Sequence, residues 1–176
     1  MFPSISLGPL SLPTAGLSYI IAAWVGLWLV EKAAQRLRQP VADTYGLATT
    51  TLFAALVGAR LLFVIEYWAA FQENLLGIVW PLNTGYNVWG GVVVGVAAGF
   101  FYGRYKQLHP AATLDALIPG LLFVLIAVSF ADFAAGPGYG TLTDMPWGVS
   151  LYGVRRHPVQ LYEIVGGLLA LGVWWR

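Results

Sequence analysis

The densest group of side chains that could do chemistry lies near the end of the chain, between Arg155 and Glu163. Arg155, Arg156 and His157 are adjacent, and they offer positive charge and N–H donors that suit a phosphate group. Pro158 favours the first turn of a helix, so Glu163 should lie about one turn inside that helix. A carboxyl group at that position needs a partner. This segment is the first candidate for a functional site.

A second candidate is Arg60, which lies in an otherwise apolar run of the sequence, 47–68. Its guanidinium group keeps its proton in proteins, so it must find an anion or several hydrogen-bond acceptors. Two hypotheses stay open for its partner. One is the phosphate of a lipid. The other is an internal carboxylate, which could come from Glu66, Asp132 or Glu163.

The elements that must position these residues are membrane-spanning helices. Of the 176 residues, 59% are hydrophobic and only 10% are charged, whereas soluble domains have about 25% charged residues. A helix needs about 20 apolar residues to cross the hydrocarbon core. We therefore predict one all-α transmembrane domain over residues 1–176, a polytopic helical bundle of about five spans. The five apolar blocks are 17–30, with a polar helical extension to Pro40, and 47–68, 88–102, 111–130 and 159–175.

The distribution of Lys and Arg predicts the orientation of the spans. The segments after the first and third blocks are basic, whereas the N-terminal segment and the loop 69–87 contain no Lys or Arg. By the positive-inside rule the N-terminus lies outside, and so does the Gly-rich loop 131–157. Arg155 and Arg156 then lie at the outer surface, where they either anchor the chain to lipid headgroups or bind a substrate phosphate.

Four glycines recur at every fourth position of the third block and should leave one helix face without side chains. Such a face lets a neighbouring helix approach closely, so we predict that they serve helix packing. A groove for a lipid tail or for the helix of a partner subunit is the alternative. The four positions are Gly91, Gly95, Gly99 and Gly103.

Composition also excludes several classes of site. The chain has no Cys, which excludes disulfides and thiolate metal sites. Its two histidines, His109 and His157, lie outside the predicted spans, so we expect no metal site and no haem-like cofactor. No basic run suggests binding to nucleic acid.

Several motifs, in the same order, resemble the bacterial phosphatidylglycerol–prolipoprotein diacylglyceryl transferase family. The most specific is Arg156-His157-Pro158-Val159-Gln160-Leu161-Tyr162-Glu163, which is similar to the family's R-H-P-[SA]-Q-L-Y-E. The others are Gly58-Ala59-Arg60-Leu61 for G-G-R-L, Trp89-Gly90-Gly91 for W-x-G-G, and Pro146-Trp147-Gly148-Val149. The resemblance implies a protein of the bacterial inner membrane that moves a diacylglyceryl group from phosphatidylglycerol to a cysteine thiol, without a cofactor.

The chain departs from this family where the resemblance places the charged residues. The family signature reads approximately G-R-x-G-N-F-x-N-G-E, and this chain has Ser129, Asp132, Ala135 and Pro137 at the Arg, the two Asn and the Glu positions. The segment 92–98 contains no His, and the family's R-F-x-x-E-x-x-R motif has no counterpart before Arg176. Serine cannot replace the charge or the donor fork of a guanidinium group.

These departures lead to two functional hypotheses. The leading prediction is a diverged, non-catalytic family member that binds lipid as an accessory subunit of a larger membrane complex. The alternative is an active transferase that acts on phosphatidylglycerol. Its catalytic residues would then be Arg60, Asp132, His157 and Glu163, and in either case the lipid-phosphate-binding residues would be Arg60, Arg155, Arg156 and His157.

Overall fold

The computed structural model describes residues 4–7, 10–73, 75–79, 85–136, 138–151 and 153–176. These ranges fall into two compact units, Met1–Ala33 with Leu117–Arg176 (unit 1) and Ala34–Ala116 (unit 2). A single domain over the whole chain stays a prediction. The helices are α1 Thr14–Arg36, α2 Val41–Glu66, α3 Trp68–Phe71, α4 Leu76–Val79, α5 Val88–Tyr105, α6 Pro110–Ala135 and α7 Val159–Trp175.

Four predicted apolar blocks lie within long helices and the block 47–68 passes the end of α2 by two residues, which confirms a polytopic helical membrane protein. Three of them, α1, α2 and α6, are long and apolar enough to cross a membrane. The other two are shorter, with 18 residues in α5 and 17 in α7. For these two helices a complete crossing stays a prediction, as does the outside position of the N-terminus.

Two small antiparallel sheets were not predicted. The first pairs β1 Ser4–Leu7 with β2 Leu10–Pro13, and the second pairs β3 Val149–Leu151 with β4 Val154–Arg156. Strands of three or four residues are too short to show a periodic pattern in a sequence. The second sheet lies in the predicted Gly-rich loop, where Gly153 has φ 81° and provides the left-handed conformation of the turn.

The fourth apolar helix, α6, continues five residues beyond its predicted end at residue 130. It stops at Gly136, which has a φ of 103°, a backbone conformation that glycine adopts readily. The Gly136 backbone amide donates to the Asp132 carbonyl over 2.8 Å. Asp132, which falls in the predicted loop 131–157, therefore lies in the last turns of the helix together with Ser129. They are one turn apart on α6.

In unit 2, α2 and α5 pack through the glycine face of α5. Gly91, Gly95 and Gly99 are buried, whereas Gly103 is partly exposed. A Cβ atom added to Gly91 would lie 2.7 Å from the Ala55 carbonyl oxygen, and one added to Gly95 would lie 3.0 Å from that of Thr51. Backbone atoms cannot move aside as side chains can, so the two helices touch only because side chains are absent.

Polar contacts join α2 and α5 at both ends. At one end, Lys106 Nζ lies 2.8 Å from Asp43 Oδ1, and this carboxylate raises the pKa of Lys106. The turns after α1 and after α5 therefore lie at the same end of unit 2, as the positive-inside rule requires of two basic turns. At the other end, Asn87 Nδ2 donates to Glu66 Oε2 over 3.0 Å.

In unit 1, α1 and α6 cross at another pair of glycines. A Cβ atom on Gly120 would lie 2.7 Å from the Gly26 carbonyl oxygen and 2.6 Å from a methyl group of Val30. Farther along α6, Ile126 occupies the space beside Gly167 of α7, where a Cβ atom would come within 2.6 Å of it. Small residues thus set the helix contacts in both units.

The α2–α5 contact predicts different outcomes for two matched substitutions. Gly91→Ala should destabilise the protein by about 1–3 kcal/mol, because the new methyl group meets backbone atoms that cannot yield. Gly103→Ala should have little effect, since its Cβ would lie 3.2 Å from the flexible end of Leu47. Thermal unfolding in detergent micelles measures both, and equal stability of the two variants would contradict the packing argument.

Candidate functional site

Arg60 lies in the last two turns of α2 and is 9% exposed. Its guanidinium group donates to backbone carbonyls of the segment that follows α2. Nε donates to Ile78 O over 3.0 Å and Nη1 to Gly85 O over 3.0 Å, and Nη2 donates to Gly77 O. The planar guanidinium group has donors on three nitrogen atoms, so it can bind these three separate carbonyls at once, which the single ammonium group of a lysine cannot do.

Aromatic rings and a helix cap complete the surroundings of Arg60. Its Cζ lies 5.3 Å from the ring centroid of Phe71 and 5.7 Å from that of Tyr86, within the range of cation–π attraction. The Asn87 side chain caps α5 by accepting from the backbone amide of Gly90 over 2.8 Å. The backbone amide of Asn87 donates to the Ala59 carbonyl. Arg60 thus anchors the segment between α2 and α5.

The sequence suggested an internal carboxylate or a lipid phosphate as the partner of Arg60. The structure supplies carbonyl oxygens, and Glu66, which was one candidate partner, accepts from Asn87. Sequence reasoning missed these acceptors because carbonyl groups carry no sequence signal. Gly77 and Ile78 lie in the short helix α4, within the predicted loop 69–87. Phosphate binding by Arg60 stays a prediction.

In unit 1, the end of α6 meets the beginning of α7 through Ser129 and Glu163. The Ser129 hydroxyl, which is buried, donates to Glu163 Oε2 over 2.7 Å. Hydrogen bonds to an ionised acceptor are stronger than neutral ones. At the position of the signature arginine the chain thus has a neutral donor to a carboxylate.

A second polar group lies at the same end of α7. Tyr162 Oη is 2.8 Å from Trp147 Nε1 and 3.0 Å from His157 Nδ1. The backbone of His157 is held as well, since its amide donates to Thr141 O and its carbonyl accepts from the Gly140 amide. Sequence reasoning named Tyr162 and Trp147 only as members of two separate motifs, without a role for either. The octapeptide contained Tyr162, but nothing in it pointed to Trp147.

The two arginines before His157 lie on β4 and differ in exposure. Arg156 is partly buried, and its Nη1 is 3.4 Å from the Gly140 carbonyl oxygen. Arg155 is exposed. Both therefore belong to the same end of unit 1 as His157 and Glu163. Pro137, at the position of the signature glutamate, lies outside the described residues.

An apolar cavity of about 260 Å³ lies next to this end of unit 1. Phe130 and Ile164, which help to line it, directly follow Ser129 and Glu163 in the sequence. Because apolar side chains line most of this cavity, it suits a hydrocarbon chain and offers few hydrogen-bonding groups to a polar ligand. Its other lining residues are Ser18, Ile21, Phe123, Ile126 and Ala127.

Metal binding has no geometric basis in the part of the chain that the structure describes. No group of three or more His, Asp or Glu side chains is close enough to hold an ion there.

Comparisons with known proteins agree with the motif resemblance. The model of the family "Prolipoprotein diacylglyceryl transferase" matches residues 3–176. A phosphatidylglycerol–prolipoprotein diacylglyceryl transferase of Solidesulfovibrio magneticus is 34% identical over 97% of this chain and 68% of its own length. The protein of that name from Clostridioides difficile is 27% identical over 80% of this chain and 57% of its own length. The chain thus spans little more than half to two thirds of these two curated relatives.

The contacts of Arg60 predict that it stabilises unit 2. Arg60→Ala should lower the free energy of unfolding by about 3 kcal/mol or more, because three carbonyls lose a charged donor. Arg60→Lys should recover only part of this loss. Arg104→Ala, at an exposed position in α5, is the matched control and should change little.

Thermal unfolding in detergent and hydrogen exchange of peptides that cover Leu75–Val79 provide the measurements. The prediction is wrong if Arg60→Ala and Arg104→Ala unfold at the same temperature and exchange at the same rate.

Proposed function

We propose a function for this chain from one premise, which is that the chain belongs to the prolipoprotein diacylglyceryl transferase family. The chain transfers the diacylglyceryl group of phosphatidylglycerol to a cysteine thiol of a prolipoprotein. The family match supports this function because it extends through both compact units. The relatives are named for the same donor and acceptor. For this reason the active alternative is favoured over the non-catalytic interpretation of the sequence.

The chain is a multi-pass protein of the bacterial inner membrane. Three of its helices are long and apolar enough to cross a membrane, and its relatives are bacterial. Phosphatidylglycerol is therefore present in the lipid bilayer around the protein, and the protein can take it up laterally from there.

The reaction sets two chemical requirements. The cysteine sulfur forms a bond to the glyceryl carbon, and the bond from that carbon to the phosphate ester oxygen breaks. The electron pair leaves with glycerol phosphate, so negative charge develops on the phosphate group. The thiol proton must pass to a base. A site for this reaction needs a base beside the sulfur and N–H donors around the phosphate.

A single observation carries the proposal: the Ser129–Glu163 hydrogen bond brings a carboxylate to the end of unit 1 where the basic residues lie. Ser129 donates to Oε2, so the Oε1 atom of Glu163 can take the thiol proton. Arg155, Arg156 and His157 hold the phosphate. Asp132, one turn beyond Ser129 on α6, is a second carboxylate at this end of the unit.

The apolar cavity fits the rest of the substrate. Phe130 and Ile164 line it and directly follow Ser129 and Glu163 in the sequence, so we expect an acyl chain in the cavity to have its headgroup near Glu163 and His157. We leave Arg60 out of this phosphate site, because its guanidinium donates to three carbonyls of its own unit.

A second candidate is a non-catalytic, lipid-binding subunit of a larger membrane complex. Ser129 favours it, because a neutral hydroxyl stands where the signature has a guanidinium group. Loss of one donor to the transition state typically lowers a rate about a hundredfold or more. In this case the same cavity and basic residues would bind phosphatidylglycerol without turnover.

A transfer assay distinguishes the two candidates. The purified chain in nanodiscs that contain phosphatidylglycerol should convert a lipobox peptide to a product heavier by one diacylglyceryl group, which mass spectrometry detects. Nanodiscs of phosphatidylcholine alone should give no product. Binding of phosphatidylglycerol, seen by native mass spectrometry, without any product would refute the transferase and support the second candidate.

Glu163→Gln should lower the transfer rate about a hundredfold or more, because the amide cannot accept the thiol proton. Glu73→Gln is a matched control at an exposed position of unit 2 and should keep the wild-type rate. Equal rates for these two variants would remove Glu163 from the mechanism.

Ser129→Ala should lower the rate about tenfold, since the Glu163 carboxylate loses the hydrogen bond that positions it, which is worth about 1.5 kcal/mol. Ser129→Thr keeps the hydroxyl and should restore most of the rate. If the alanine variant is as active as the wild type, the Ser129–Glu163 contact has no role in transfer.

A further inference from the structure

The Tyr162 hydroxyl lies between two nitrogen atoms that come from different parts of unit 1. Trp147 Nε1 is 2.8 Å away, and His157 Nδ1 is 3.0 Å away. Both distances are those of ordinary hydrogen bonds. Among the described residues these two nitrogens are the side-chain partners of Tyr162, so the hydroxyl connects an indole to an imidazole.

The chemistry of the indole sets the direction of the first bond and favours one direction for the second. An indole N–H can only donate, so Tyr162 Oη accepts from Trp147. The hydroxyl then has its own proton to donate, and His157 Nδ1 is the acceptor within reach. A neutral imidazole that accepts at Nδ1 carries its proton on Nε2. The reverse arrangement would place two donors against the same oxygen, and the hydroxyl proton would then have no side-chain acceptor among the residues that the structure describes.

The backbone keeps the imidazole in place for this contact. The His157 amide donates to Thr141 O over 3.0 Å, and its carbonyl accepts from the Gly140 amide over 2.9 Å. Gly140 must lack a side chain, because a Cβ atom there would lie 2.7 Å from a methyl group of Val159 and 3.0 Å from the Cβ of His157. With Nδ1 held by Tyr162, Nε2 is the ring nitrogen that remains available.

We propose that Tyr162 is a positioning residue that keeps the proton of neutral His157 on Nε2. The ring therefore meets an anion as a hydrogen-bond donor. A nitrogen that carries a proton cannot accept another, so His157 holds the phosphate of the lipid and a carboxylate serves as the base. Only the identity of this anion rests on the proposed function. The position of the proton does not.

Nuclear magnetic resonance tests the proton position directly. The chain has two histidines, so ring ¹⁵N labelling gives two sets of signals, and His109→Gln assigns them. Spectra that correlate ring protons with nitrogens separate the Nε2–H form from the Nδ1–H form. They are recorded at alkaline pH, where imidazoles are neutral. The wild-type protein should show His157 with its proton on Nε2.

Three variants test the role of Tyr162. Tyr162→Phe removes the donor to Nδ1, so the His157 signals should move toward the averaged position of two exchanging forms. Trp147→Phe keeps the tyrosine hydroxyl but removes the indole donor that directs its proton, so the His157 signals should move part of the way toward that averaged position. Tyr139→Phe removes a hydroxyl that donates to Phe133 O elsewhere in unit 1, and it should leave the His157 signals unchanged.

The proposal is overturned if wild-type His157 carries its proton on Nδ1, or if Tyr162→Phe leaves its signals unmoved. The transfer assay judges the proposed function separately. Transfer by a wild-type protein with the Nδ1–H form would overturn this inference and leave the transferase standing. The Nε2–H form in a protein that transfers nothing would support the inference and refute the transferase.

Discussion

A donor buried among apolar helices must meet an acceptor from the protein, because hydrocarbon offers none. Arg60 shows how this constraint shapes the chain. Its guanidinium requires acceptors, and it finds them in the carbonyl oxygens of Gly77, Ile78 and Gly85. These contacts attach α4 and Gly85 to α2, and Asn87 caps the start of α5.

At the end of unit 1 the same constraint applies to Ser129, whose buried hydroxyl donates to Glu163. Trp147 and Tyr162 are exposed, and there the indole N–H donates to the Tyr162 hydroxyl, which in turn contacts His157. Under the proposed function, Oε1 of Glu163 and Nε2 of His157 are the polar atoms that meet the substrate.

Divergence from the family signature changes the charge at position 129. A guanidinium there would place a cation beside Glu163, whereas serine leaves the carboxylate with a neutral donor. Arg156, the arginine of the octapeptide, lies on a different element, β4, together with Arg155. The chain can therefore belong to the transferase family and still distribute positive charge differently around the substrate phosphate.

The sequence by itself determined the membrane helices. Block 159–175 and α7 coincide, and block 88–102 falls short of the end of α5 by three residues, because long apolar runs in a membrane have few alternatives to a helix. The basic turns after the first and third blocks also predicted which ends of α2 and α5 lie together. Their partners at the other end, Glu66 and Asn87, were not predicted.

Only the tertiary structure decided which groups meet. The acceptors of Arg60 lie 17 to 25 residues away in the chain, and Ser129 lies 34 residues from Glu163. Carbonyl oxygens are the same in every residue, so a sequence cannot show which of them will face a guanidinium. The proton of His157 depends on a hydroxyl that in turn depends on Trp147. Such a chain of hydrogen bonds exists only after distant segments have packed, because each bond is set by the position of the next.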